Sequence, residues 1–473
     1  MNNRFLHMIL SIVLLLGISS CGSKNAKTEE KNYKIVDGTI VFDEPQRKDG
    51  QKSVLQFAVD PIENVRIGFI GLGMRGPDAV NRMTCIDGVS VVALCDLEPN
   101  RVEKVQLEIL EAKGLPRAAA YSGEDGWKAL CERDDIDLVY ICTNWQTHMP
   151  MAVYAMQHGK HVAVEVPAAT SLEECWQLVD VAEQTQRHCM MLENCCYDFF
   201  EMTALNMAQQ GLFGEIIHGE GAYIHNLEPY WPYYYNNWRL DFNQKHSGDV
   251  YPTHGLGPLC QVFNIHRGDR MKTLVSMTTP SINGKKIARE MMKTNDFANG
   301  DMTTTMIQTE QGKTMLIEHD VYTNRPYNRL YQLTGTEGFA NKYPSEGFTV
   351  LEKNLPDYLL PEDHEALDPH DFVPESIETI LLDAYKHPIA KEIEEKAKEV
   401  GGHGGMDFIM DYRLIYCLHN GLPLDEDVYD AAEWSCLGEL TAASIENGGM
   451  PVAMPDFTRG DWNKVHGFKH AVK

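Results

Sequence analysis

Asn64-Val-Arg-Ile-Gly-Phe-Ile-Gly-Leu-Gly-Met-Arg-Gly76 decides how the rest of the chain is read. Val65 to Ile70 forms a short apolar strand that runs into Gly71-Leu-Gly73-Met-Arg-Gly76, and a helical pattern continues to about Cys85. This is the G-x-G-x-x-G spacing of a dinucleotide-binding turn. Gly71 makes the bend, Gly73 lets backbone amides approach a pyrophosphate, and Gly76 permits close helix–strand contact at a helix N-terminus of partial positive charge. Glycine turns are common, so the context carries the inference. Val89-Ser-Val-Val-Ala-Leu-Cys95 reads as the second strand, and Asp96 ends it, twenty residues beyond Gly76. An acid there accepts hydrogen bonds from the adenine-ribose hydroxyls and repels a 2′-phosphate, so NAD is expected over NADP. Leu97 and Glu98 follow, with no base among them to receive that phosphate.

Outward from this turn, strands and helices alternate. Val102 to Ala112 reads as a helix, Asp137 to Cys142 as a buried strand, Met151 to Gln157 as a helix and His161 to Val164 as a strand. Leu172 to Gln186 is a long amphipathic helix and Cys189 to Leu192 a last strand. The expectation is an α/β protein whose N-terminal domain, residues 61–193, is a Rossmann-type, doubly wound parallel sheet. Beyond Glu193 longer β-leaning segments follow: Ile216 to Ile224, Leu274 to Met277, Met302 to Thr309, Thr314 to His319 and Leu330 to Thr334. Helices return between Pro374 and Gly421. Residues 194–473 are therefore expected to form a substrate-binding α+β domain with a largely antiparallel open sheet and a C-terminal tail.

The ends and the composition narrow the function class. The chain has 473 residues, 43% of them hydrophobic, enough for two or three domains with large cores. Its formal charge of −26 argues against nucleic acid or anionic lipid as a partner surface. Arg4 and His7 precede the apolar run Met8 to Ile18, which is too short to span a bilayer comfortably. Ile18-Ser-Ser-Cys21 has the form of a bacterial lipobox, so residues 1–20 read as a signal peptide and Cys21 as a lipidated N-terminus. Acyl chains would then anchor the protein in the cell envelope, and residues 21–60, rich in Lys, Glu, Asp and Gln, would act as a tether with a small strand pair around Tyr33 to Phe42. Of twelve cysteines, eleven remain once Cys21 is set aside, with neither a disulfide framework nor zinc-site spacing.

Further motifs bring a family into view. Thr143-Asn-Trp-Gln-Thr-His148 and Glu165-Val-Pro167 each follow a predicted strand. There the chain resembles the Gfo/Idh/MocA oxidoreductases, which carry T-P/N-x-x-x-H and E-K-P. The lysine with which those dehydrogenases hold the substrate hydroxyl is here Val166, which neither donates a hydrogen bond nor carries charge. Glu-Val-Pro, Trp-Gln-Thr-His, Glu193-Asn-Cys-Cys-Tyr197, Trp238-Arg239, Tyr251-Pro-Thr-His254-Gly and Pro455-Asp-Phe-Thr-Arg-Gly460 are together similar to glycoside hydrolase family 109, from about Val65 to Trp462. Several members of that family are bacterial lipoproteins with α-N-acetylgalactosaminidase activity. The resemblance implies NAD bound by Gly71, Gly73, Met74, Arg75, Gly76, Asp96, Trp145, Gln146, Thr147, His148, Glu165, Val166 and Asn194. It implies a sugar held by Tyr223, Arg239, Tyr251, Pro252, Thr253, His254 and Tyr327, in a glycan or glycoconjugate bearing terminal N-acetylgalactosamine.

The implied route differs from two-carboxylate hydrolysis. Oxidation at C3 acidifies the C2 proton, its loss expels the glycosidic oxygen, water adds, and the hydride returns with no net redox change. His254 is the choice for the C3 proton, since imidazole takes and returns a proton near neutral pH. Tyr223 and Tyr327 are candidates for hydroxyl hydrogen bonds or the C2 proton. Arg239 either holds the acetamido carbonyl or a ring hydroxyl, or makes a surface salt bridge. Tyr230-Trp-Pro-Tyr-Tyr-Tyr235 and Trp238 either stack on sugar faces or pack a domain interface. Gly401-Gly-His-Gly-Gly405 makes His403 part of a lid or a helix entry. No metal-ligand spacing is present. The alternatives are an NAD-dependent sugar dehydrogenase and a non-catalytic sugar-binding lipoprotein, and a homo-oligomer is left open.

Overall fold

The computed structural model describes residues 31–361 and 364–473; Cys21 and the leader lie outside them. Tyr33–Val36 (β1) and Thr39–Phe42 (β2) pair antiparallel, as the small strand pair expected near the N-terminus. They are not part of a free tether. β2 joins the second domain's sheet through Val452–Ala453, Arg47 pairs with Glu183 at 2.8 Å, and the Val54 amide donates to the Tyr429 hydroxyl. Side chains recessed into the body, Ile40, Phe42 and Val54, hold this segment down.

The nucleotide domain is a six-stranded parallel sheet of Val65–Ile70 (β3), Val89–Asp96 (β4), Ala119–Ser122 (β5), Leu138–Ile141 (β6), His161–Val164 (β7) and Cys189–Met191 (β8). Its order, β5-β4-β3-β6-β7-β8, reverses between β3 and β6, which opens a crevice at the carboxyl ends of those strands. β6, β7 and β8 are buried along their whole length, as a sheet covered by helices on both faces requires. The helix expected from Met151 begins earlier and runs Trp145–Gln157 across Pro150. Proline there leaves only the carbonyl of Gln146 without its helical partner, and Gln146 and Pro150 are both exposed to water.

Ile216–Ile224 (β9), Met271–Thr278 (β10), Thr303–Thr309 (β11), Thr314–Asp320 (β12), Tyr331–Gly335 (β13), Gly338–Asn341 (β14), Gly347–Val350 (β15) and Val452–Ala453 (β16) complete the second sheet. The order is β1-β2-β16-β10-β11-β12-β9-β13-β14-β15, antiparallel except at β12/β9 and β16/β2. Strand β11 alternates buried and less buried positions, the pattern of a sheet with one covered face. The helix Thr253–Val262 lies on that face against β9. Two late helices return to the nucleotide domain: Met406–Asn420 packs on the helix Gly76–Met83 and on β3, while Val428–Ser435 packs on β8 and the helix Leu172–Thr185. The chain after residue 194 thus also covers part of the first domain.

Candidate active site

The glycine turn is built by close approach. Gly71 has φ +93°, and a Cβ there would press on the Cys142 carbonyl; a Cβ on Gly76 would fall on the Gly71 carbonyl oxygen. A Cβ on Gly73 would meet only the far end of Arg101, so the space before its backbone is open to a ligand. That space belongs to a cleft of about 770 Å³, within the range of small-molecule and cofactor sites. Gly71, Gly73, Met74, Arg75, Asp96, Trp145, His148, Glu165 and Val166 all line it, so most of the expected cofactor residues converge. Gln146 points to solvent, Thr147 bonds Thr143 and Asn144, and Asn194 donates to Asp407 outside the lining. The amide-lined turn, the carboxylate at the end of β4 and the apolar crevice fit a dinucleotide.

Several of these side chains are committed to the protein. Asp96 accepts from the Leu72 amide at 2.6 Å and from the Glu98 amide at 2.9 Å. Arg101 Nη1 stands 3.4 Å from Asp96 Oδ1, the oxygen that accepts from Glu98, and Arg101 lines the cleft. A base is therefore present beside Asp96, five residues farther along the chain and beyond Leu97 and Glu98, which supply none. The first turn of the helix Pro99–Val105 brings it back. His148 lies between the carbonyls of Pro167 and Thr143, 2.8 and 3.0 Å away; burial outweighs both carbonyls and lowers its pKa, and the neutral ring donates to one of the two. Arg75 bridges Glu165 and Asp407 at 3.0 and 3.1 Å.

The sugar-side residues meet next to this cleft. Gly221 in β9 and Gly255 at the start of the helix Thr253–Val262 touch backbone to backbone; a Cβ on either would collide with the other strand or helix. This contact sets His254 beside Tyr223, with ring centres 5.2 Å apart, and Tyr251 lies 5.0 Å from both. Pro252 and Thr253 are buried behind them as the helix entry. Arg239 is 7% exposed, donates to the Tyr234 hydroxyl at 2.8 Å and lies over Tyr251 and Trp145, while its Nε has no partner. The surface salt-bridge alternative for Arg239 is thereby removed. Trp145 stacks on Tyr251 at 5.4 Å, so cofactor and sugar walls share a boundary.

His254 is tuned by a residue that motif reading had not given a role. Its Nδ1 lies 2.7 Å from Glu193 Oε1, a fully buried carboxylate. Burial opposes ionisation of Glu193, but the His254 imidazole and the Cys195 amide outweigh it and hold the carboxyl below its ordinary range. An ionised acceptor at Nδ1 keeps the proton there and leaves Nε2 as the basic nitrogen, 3.3 Å from the Tyr251 hydroxyl. Glu193, Cys195 and His254 also offer ligand atoms within 4.8 Å of one another. The guanidinium of Arg329, 3.4 Å from Cys195 Sγ, puts positive charge where a cation would sit.

Two further groups, His225 and Asp407, were not singled out from sequence; they stand against Tyr223 and His403, which were. His225 accepts at Nδ1 from the Tyr223 hydroxyl, 3.0 Å away, and faces Tyr327 at 4.9 Å. Burial, reinforced by Arg239 and the other nearby cations, lowers His225 to about 4, so it is neutral and able to accept. Asp407 holds His403 Nδ1 at 3.0 Å, and His403 stands 3.4 Å from Arg75. Asp407 is itself held far below the usual carboxylate range, His403, Arg75 and Arg82 overcoming its burial. Tyr327 is 42% exposed at the rim. Neither His225 nor Asp407 belongs to a motif, although each lies close in sequence to its partner, two residues from Tyr223 and one helical turn from His403.

Comparison with known proteins agrees with this geometry. Residues 65–193 match the oxidoreductase family with an NAD-binding Rossmann fold. Residues 197–464 match the C-terminal domain of glycosyl hydrolase 109. The chain belongs to glycosyl hydrolase family 109. A family 109 protein from Porphyromonas gingivalis is 59% identical over 470 residues, covering 98% of this chain and 99% of that one. Family 109 protein 1 from Bacteroides thetaiotaomicron is 57% identical over 467 residues with the same coverage. Among solved structures, an Agrobacterium radiobacter oxidoreductase in complex with NAD+, L-tartaric acid and magnesium aligns with TM-score 0.58 at 16% identity, covering 83% of this chain and 98% of that one. The WlbA dehydrogenase of Bordetella pertussis in complex with NADH and UDP-GlcNAcA aligns with TM-score 0.56 at 15% identity, covering 84% and 100%. At that identity the likeness establishes the fold. The glycine turn of the cleft lies within the residues that match the NAD-binding Rossmann family.

Proposed function

We propose that this family 109 protein hydrolyses terminal α-linked N-acetylgalactosamine from glycans or glycoconjugates, using resident NAD and ending with no net redox change. The observation that carries the reading is His254, held at Nδ1 by Glu193 with Nε2 turned to the Tyr251 hydroxyl, at the wall where the sugar residues meet the cofactor cleft. Bound NAD would supply hydride acceptance and return at C3. His254 Nε2 takes the C3 hydroxyl proton, and Tyr251 steers that hydroxyl by sharing the same nitrogen. With C3 at the carbonyl level the C2 proton becomes acidic, and Tyr223 with neutral His225 forms the relay that takes and returns it. Arg239 offers its unpartnered Nε to the acetamido carbonyl or a ring oxygen. His403, on its glycine-flanked turn and backed by Asp407, protonates the departing oxygen and then activates water. Val166, 5% exposed in the cleft wall, leaves a dehydrogenase without its usual lysine, which favours hydrolysis over net oxidation.

The test is hydrolysis of nitrophenyl α-N-acetylgalactosaminide in D₂O by purified protein with no added cofactor. The expected product carries solvent deuterium at C2. Efficient cleavage without C2 deuterium overturns the elimination route, and accumulation of NADH without glycoside cleavage overturns the hydrolase reading in favour of a dehydrogenase. We also propose that Cys21 is the lipid anchor in the cell envelope. A Cys21→Ser protein should leave the membrane fraction, and its continued presence there would refute the anchor.

A further inference from the structure

The aromatic run Tyr230–Tyr235 is used only in part by the chemistry above. Trp231 is completely buried and Leu227 nearly so, which pins the base of this segment to the second domain. Its tip leaves that domain: Tyr233, Tyr234 and Tyr235 line the same cleft as the glycine turn, Asp96 and Arg101. Across the cleft the Tyr235 hydroxyl donates to Glu98 Oε1 at 3.1 Å, and the Arg101 guanidinium lies 5.0 Å from the centre of the Tyr235 ring. Both partners belong to the turn and helix that follow Asp96, the residue expected to meet the adenine ribose. The contact therefore spans the groove at its adenosine end, from one domain to the other.

Two residues at the foot of the tip have backbone that L-amino acids seldom adopt: Asn236 at φ +51° and Asn237 at φ +52°. Asparagine tolerates this region better than most residues, and two in succession reverse the chain sharply before the helix Trp238–Lys245. That helix carries Arg239, whose guanidinium lies on Tyr251 beside His254. A segment tied at one end to the sugar site thus reaches the opposite end of the cofactor groove. Tyr233, 68% exposed, and Tyr235, 42% exposed, have large apolar surface outside any core; Tyr234 is held by Arg239 and Trp238 of its own domain, while Tyr235 is held by its contacts across the groove.

We propose that Tyr230–Asn237 is a strap that closes over the dinucleotide, with Tyr235, Glu98 and Arg101 as its catch, and that it keeps the cofactor bound between turnovers. The inference rests on the NAD reading above. A reaction that returns its hydride has no need to exchange cofactor, so a groove closed from the second domain costs nothing in turnover and prevents loss of a molecule scarce outside the cytoplasm. Arg101 is shared between Asp96 and Tyr235, so opening the catch also loosens the base beside the adenosine site.

The test measures release and not activity. Holoenzyme is mixed with a large excess of NADH, and the rise of bound-NADH fluorescence reports departure of the resident NAD. Tyr235→Ala is expected to speed departure tenfold or more, and Tyr235→Phe and Glu98→Gln by a smaller factor, since the first removes only the hydrogen bond and the second leaves an uncharged, weaker acceptor. Tyr235 and Glu98 lie at the surface, and circular dichroism verifies that the variants are folded. NAD leaving all three variants at the wild-type rate overturns the strap while leaving the NAD reading intact. Wild-type protein that contains and binds no dinucleotide overturns both.

Discussion

Glu193 and His254 are sixty-one positions apart in sequence and 2.7 Å apart in space, and the reactivity of the site depends on that pair. A buried carboxylate that stays ionised does so because a donor sits against it. Here the donor is the imidazole whose other nitrogen must act as base. Glu193→Gln keeps the shape of the side chain but can no longer select the tautomer. It should lower kcat on the order of a hundredfold with KM within a few-fold, and shift the acid limb of the kcat–pH profile. His254→Ala should cost at least as much. A Glu193→Gln enzyme with wild-type kcat and an unmoved pH profile would reduce Glu193 to a packing residue.

At the scale of the element, the site depends on how closely one helix approaches one strand. The helix Thr253–Val262 reaches β9 only because Gly255 faces Gly221, where each lacks the Cβ that would strike the other's backbone. Gly221→Ala should therefore push the helix outward and cost about 1–3 kcal/mol of stability, the usual price of overpacking. Activity should fall further than stability, because His254 would move away from Tyr223. Denaturant midpoint and kcat/KM, measured together, check this. An alanine variant unchanged in both would mean that the contact has slack and that the placement of His254 comes from elsewhere. The Asn236–Asn237 reversal plays a similar part for the strap, turning a short run of tyrosines back across the groove.

At the scale of the molecule, the interior carries many ionised groups, most of them paired across elements, such as Arg413 with Asp425 and Arg267 with Asp430. Asp249 is an exception. It is fully buried, one of its oxygens has no hydrogen-bond partner, and burial raises it to about 7, only partly offset by the Tyr251 amide. The neighbouring His319, 4.0 Å away, is lowered to about 3 by burial and Arg239, so it supplies no charge. The sign follows directly. Between about pH 4 and 7 the unfolded chain has released this proton while the folded protein retains it, so stability contributed by the neutral acid is lost as pH rises through 7. Asp249→Asn should raise the melting temperature at pH 8 and leave it nearly unchanged at pH 4. Equal shifts at both pH values would show that Asp249 is not the group responsible.

Periodicity and glycine spacing were enough to reveal a parallel sheet with five of its six strands, the turn at Gly71 and five approximate strands of the second domain, because these depend on neighbours within a few residues; the short edge strand Ala119–Ser122 was not read. The motifs likewise brought out His254, Tyr223, Arg239 and Tyr251 as a set. The pairings that make those residues work were not legible. Glu193 with His254, Asp407 with His403 and Arg101 with Asp96 are contacts between side chains on separate turns or elements, and His225 with Tyr223, two residues apart, meets where β9 ends. Nor could the sequence tell that residues 33–60 pack onto the body, or that the late helices cover the first domain, since a polar segment is held by whatever surface it happens to meet. Local chain chemistry determines which elements form, through sterics and side-chain period. Which carboxylate faces which imidazole, and hence which proton can move, is decided only when distant elements exclude water from between them.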